Sequence, residues 1–163
     1  MSNPSPRTPT HRVARDASVM ALVVFGTAVL LMGCQHASGP TIAGTLLPSS
    51  EAAILRRPCS RPGPPPFEAV WVPSDDDIAL LNSRLPRIGR LRAACCIKGA
   101  RIDDLRHYSI YFLPIVSSGR RLIYVVGSDD GALNVCDGGE THWGAIYDPA
   151  TGSFSDLFVN GVA

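Results

Sequence analysis

HYSIYFLPIVSSGRRLIYVV, residues 107–126, decides the fold class of this chain. His107–Leu113 and Arg121–Val126 are dense in aromatic and β-branched side chains, the composition of strands rather than helices. Between them stand Pro114 and Ser117-Ser118-Gly119, a break suited to a hairpin turn. The same pattern repeats downstream. Ala132–Cys136 follows the turn Asp129-Asp130-Gly131, and His142–Tyr147 follows Asp137-Gly138-Gly139. The sharpest local signal is YDPATGSF, residues 147–154. Asp148 and Pro149 suit the first positions of a type I turn, and Gly152 can supply a positive φ. Phe154–Val159 then reads as the last strand.

Upstream, Phe67–Val72 reads as a short strand. Ser74 follows as a helix N-cap, with Asp75, Asp76 and Asp77 in the first turn and Asp77 at the capping-box position. Ile78, Leu81, Leu85 and Ile88 recur at helical spacing, and Pro86 should end or kink the helix, predicted over about 75–85. The expectation is an α+β fold, one N-terminal helix packed on a four- to five-stranded antiparallel meander sheet.

The element order resembles the cystatin-like and NTF2-like architectures, in which one helix lies across a curved antiparallel sheet. That resemblance concerns element order over about 97 residues and implies no activity.

The first 34 residues have another character. A leader with Arg7, Arg12 and Arg15 precedes ASVMALVVFGTAVLLMG, residues 17–33. That apolar run is at or below the roughly 20 residues a spanning helix needs. A basic leader, a short apolar segment and a small residue are the parts of an export signal. Leu31-Met32-Gly33-Cys34 closes it and resembles the lipobox of bacterial lipoproteins. The resemblance implies a signal peptide over 1–33, a diacylglyceryl thioether on the Cys34 sulfur, cleavage before Cys34 and acylation of the new amino group. Several acyl chains, at about 0.8 kcal/mol per buried CH₂, would anchor the protein to a membrane. Gln35, where an Asp would resemble an inner-membrane retention signal, implies an outer-membrane protein facing the periplasm of a Gram-negative envelope.

Residues 34–66, rich in Pro, Ser and Gly and ending in RRPCSRPGPPP, read as a tether, which leaves 67–163 as one small periplasmic domain. The leader holds three Arg and one Asp, so of 15 basic and 14 acidic residues the mature chain keeps 12 and 13. That balance argues against nucleic-acid binding.

With Cys34 lipidated, Cys59, Cys95, Cys96 and Cys136 remain, an even number that predicts disulfides in an exported chain. A bond between neighbours Cys95 and Cys96 would close a strained ring. The two connectivities expected instead tie the end of the helix region to both Cys59 and Cys136. Cys/His spacing gives no zinc site, the Asp-rich turns do not match a calcium loop, and no metal or cofactor is expected. His107 and His142 stand near strand starts without a recognisable nucleophile motif, and a lone strand histidine is expected at the surface. Asp129, Asp130, Asp137, Glu140 and Asp148 are assigned to turn chemistry, and the domain is expected not to be an enzyme.

Arg84, Arg87, Arg90 and Arg92 form a basic segment, whereas no Lys or Arg follows Arg121. They are the candidate binding residues for an anionic surface. The function expected is a membrane-anchored envelope lipoprotein whose domain binds another macromolecule, of inhibitor or immunity type. The alternative is a structural or assembly accessory of the envelope.

Overall fold

The computed structural model describes residues 41–162. The signal peptide expected over residues 1–33 and the expected lipidation site Cys34 lie outside the described residues. Strands β1 (Thr45–Leu46), β2 (Ala69–Val70), β3 (Ser109–Ser117), β4 (Arg120–Ser128), β5 (His142–Asp148) and β6 (Ser153–Val159) make one sheet. Helices α1 (Ala52–Leu55) and α2 (Asp75–Arg84) complete an α+β fold. Among the described residues no helix is long and apolar enough to cross a membrane.

The centre is the predicted meander. β3 pairs with β4, β4 with β5 and β5 with β6, all antiparallel. Ser118 and Gly119 turn the first hairpin with φ of 50° and 73°. Positive φ at both central positions suits the right-handed twist of the flanking strands. Pro114 does not interrupt β3 but sits within it, opposite Ile123. At the last hairpin the Asp148 carbonyl accepts from Gly152 N, its carboxylate accepts from Ala150 N, and Gly152 has φ 63°.

Side chains alternate between the sheet faces, and both faces are buried. One face sends Ile110, Phe112, Ile123, Val125, Trp143, Ala145 and Tyr147 against Leu81, Leu85 and Ile88. α2 starts as its sequence directs. Ser74 Oγ accepts from Asp77 N, and the Asp77 carboxylate accepts from Ser74 N at 2.9 Å. The α-helix stops at Arg84 because Pro86 has no N–H to donate, and residues Leu85–Arg90 continue as a 3₁₀ helix.

The opposite face differs from expectation. Residues 34–66 do not serve throughout as a tether, because those from Gly44 onward belong to the domain. β1 pairs parallel with β3 in the register Thr45↔Tyr111, so the sheet is mixed rather than a pure antiparallel meander. Leu47, Ala52, Leu55 and Phe67 then cover Leu113, Ile115, Leu122, Tyr124, Val126 and Ile146. The strap is fastened twice more. Cys59 is bonded to Cys136, and Arg61, 5% exposed, lies between Tyr124 Oη and Asn160 Oδ1.

Two further expectations are corrected. Ala132–Cys136 is a loop, because its polar groups find partners outside any ladder. Ala132 N donates to Asp130 Oδ1, Asn134 Oδ1 accepts from Cys59 N, and Val135 O accepts from Asn160 Nδ2. Nor are the cysteines joined as expected. All four are bonded, but Cys95 is joined to its neighbour Cys96. The loop contacts around Asn134, together with Ser60 Oγ accepting from Asp137 N, bring Cys59 to Cys136 and leave Cys95 to Cys96. That adjacent pair lies along the outer edge of β6, with Ala94 N donating to Leu157 O and Cys96 N to Val159 O.

Candidate functional site: a basic face and a histidine cluster

The basic segment takes its geometry from the 3₁₀ helix. With three residues per turn, side chains at i and i+3 eclipse one another. Leu85 and Ile88 therefore fall on the buried side, and Arg87 and Arg90 on a common exposed side. Arg92, Lys98 and Arg101 are exposed in the segment that follows. The guanidinium groups are held by main-chain oxygens: Arg87 donates to Gly152 O, Arg92 to Gly99 O, and Arg101 twice to Gly89 O. Among the described residues the one carboxylate close to this group is Asp103, 3.6 Å from Arg101 Nε. Arg84 does not join the face. It is half-buried at the end of α2, and its Nε lies away from solvent without a hydrogen-bond partner.

A second constellation forms at the far end of the sheet. Ser128 ends β4 and His142 begins β5, and the two are direct cross-strand partners. His142 is not the surface residue expected, being 3% exposed. Its Nδ1 lies 2.8 Å from Thr141 Oγ1, which donates to Gly138 O at 2.8 Å. The Thr141 oxygen is thereby left to accept from Nδ1–H. Nε2 faces Ser128 Oγ at 3.1 Å and Asp130 Oδ1 at 3.0 Å. Asp129 completes the group, one ligand atom from each of Asp129, Asp130 and His142 lying within 4.8 Å of the others. The Ser128 hydroxyl and the Ala132 amide, with help from His142, hold the Asp130 carboxyl down at about 2.

This group has the members of a serine–histidine–aspartate relay but not its geometry. A relay needs the hydroxyl on one ring nitrogen and the carboxylate on the other. Here both face Nε2, so the nitrogen that would take the serine proton is already engaged by Asp130. His107, by contrast, lies exposed at the end of a short 3₁₀ helix, 3.4 Å from Asp104. Asp148 keeps its turn role and also pairs with Arg120.

A cleft of about 640 Å³ lies at the other end of β4. Leu122, Ile146 and Phe158 line it together with Ser117, Ser153 and Ser155, and the Arg120–Asp148 pair lies at its margin. It contains neither histidine nor cysteine.

No family model, curated protein or solved structure matches this chain. The sequence signal for the basic face was the arginine spacing. The histidine cluster was missed because its residues are separated in sequence and meet only through the β4–β5 register.

Proposed function

We propose that the protein is an envelope lipoprotein, lipidated at Cys34, whose domain binds the acidic surface of a protein partner without catalysing a reaction. The observation that carries this reading is the eclipsed pair Arg87 and Arg90, continued by Arg92. All three are exposed and have no carboxylate within 4.0 Å among the described residues. Arg87 and Arg92, tied only to main-chain oxygens, keep donors free for carboxylates, which guanidinium groups bind bidentately. An inhibitor or immunity-type role fits such a surface on a small disulfide-bonded domain.

The test compares the full chain with an Arg87→Glu, Arg90→Glu, Arg92→Glu variant in capture from envelope extract. Raising salt from 0.1 to 1 M shortens the Debye length from about 10 to about 3 Å, so binding through this face should weaken steeply. The expected result is a partner lost in the variant and at high salt, with the melting temperature held. Capture indifferent to both would show that the face is only solvated. A parallel Cys34→Ala chain should lose lipid labelling and membrane partition, and normal maturation of that variant would overturn the anchor.

A further inference from the structure

We propose that Ser128, Asp129, Asp130 and His142 form a binding site for a divalent transition-metal ion, distinct from the basic face. The arrangement begins with the buried imidazole. Thr141, tied to the Gly138 carbonyl, accepts from Nδ1 and so turns the Nε2 position toward Asp130 and Ser128. Metal-binding histidines are oriented in this way, their second ring nitrogen donating to a fixed acceptor.

The surroundings of Nε2 are all oxygen. Asp130 Oδ1, Ser128 Oγ and the nearby Asp129 carboxylate each offer lone pairs, and the Ser128 hydroxyl proton is directed at Asp130 at 2.7 Å. With Nδ1 directed at Thr141, Nε2 can present its lone pair to a metal ion that these oxygens hold from the other sides. Among the described residues neither aspartate has a Lys or Arg partner.

An independent sign of the local field comes from Tyr108, whose hydroxyl donates to Glu140 O. Burial raises its pKa first, and Glu140, Asp129, Asp103 and Asp104 raise it further. This end of the sheet is thus a negative region, at the opposite end of β4 from the Arg120–Asp148 pair. Strand register fixes the frame, because Ser128 and His142 are paired in the ladder and Asp129 N donates to Thr141 O just beyond it.

The donor set selects the class of ion. One imidazole nitrogen among oxygens favours zinc and its first-row neighbours over calcium and magnesium, which prefer oxygen alone. The ion would lie between Nε2 and the two carboxylates, which balance its charge.

The experiment titrates the untagged chain with zinc, and in parallel with manganese and calcium, by calorimetry. Nitrogen NMR of the His142 ring is read in the same samples. One zinc per chain is expected, with a shift of the Nε2 resonance and calcium binding far weaker. Asp129→Asn and Asp130→Asn, both at exposed positions, should each weaken binding by about tenfold or more. His107→Gln should leave it unchanged, since His107 sits with Asp104 as the competing surface site. No binding at millimolar zinc would overturn the proposal. So would binding that survives both asparagine variants, that depends on His107, or that leaves the Nε2 resonance in place. Circular dichroism of each variant separates lost binding from lost folding.

Discussion

A methyl group at Gly127 would overlap the Trp143 indole, and one at Gly144 would overlap the Tyr124 phenol. Both glycines serve as seats for rings from the neighbouring strand, and all of these rings are fully buried. Gly127 faces Trp143 directly in the ladder, so the indole has no room to yield without shifting the strand pair. Gly127→Ala should therefore destabilise the protein by about 1–3 kcal/mol, the usual result of overpacking a filled core. Chemical denaturation measures the loss, and an unchanged midpoint would mean that the indole has space to move. In the sequence these positions were only glycines within apolar runs. Their purpose depends on which residue stands opposite, and strand register is not written in either strand alone. His142 was obscured for the same reason: its burial and its oxygen partners follow from pairing with Ser128, fourteen positions earlier.

α2 was readable at its start because a capping box is local. Ser74 and Asp77 are three residues apart and need no tertiary partner to exchange hydrogen bonds. The hydrogen bonds from the Ser74 side chain and backbone lower the Asp77 pKa below its ordinary 3.8. A carboxylate whose folded-state pKa is depressed contributes stability above its unfolded pKa and loses it as pH falls through the folded value. Asp77→Asn should therefore lower the melting temperature at pH 6, and the gap from the unaltered chain should narrow as the pH falls below about 4. A gap constant from pH 6 to pH 3 would show that the charge on Asp77 is irrelevant to the cap. The end of the helix was readable too, through Pro86. What followed it was not, since only the structure shows a 3₁₀ turn in which Arg87 and Arg90 eclipse while Arg84 turns inward. Spacing by three suits either helix, but the side on which each arginine emerges depends on which helix forms.

Across the whole molecule, the meander was legible and the layer beneath it was not. Leu122–Val126 is apolar at every position, which is how a strand buried on both faces reads. One predicted helix could cover only one of those faces. The second cover came from residues 44–67, whose prolines and glycines resemble a spacer when read for composition. Leu47, Leu55 and Phe67 are the few apolar anchors within it, and sequence alone does not reveal which strand they meet.

The parallel pairing of Thr45 with Tyr111 has a consequence for the order of assembly. β3 through β6 are joined by short connections or a single loop, so their contacts close small loops. β1 can dock only across the 65 residues between Thr45 and Tyr111. Local pairings form early and distant ones late. The strap should then be absent from the folding transition state and be laid over a meander already in place. Removing the Cys59–Cys136 bond, which spans 77 residues, should cost about 4.5 kcal/mol on the chain-entropy argument. A late-docking strap assigns nearly all of that loss to unfolding, which should accelerate roughly a thousandfold while refolding keeps its rate. Stopped-flow measurements on a Cys59→Ser, Cys136→Ser chain would show this, whereas slowed refolding would place the strap in the nucleus. The protein would then persist through slow opening of its last-formed layer, with the bond to Cys136 acting as a kinetic latch.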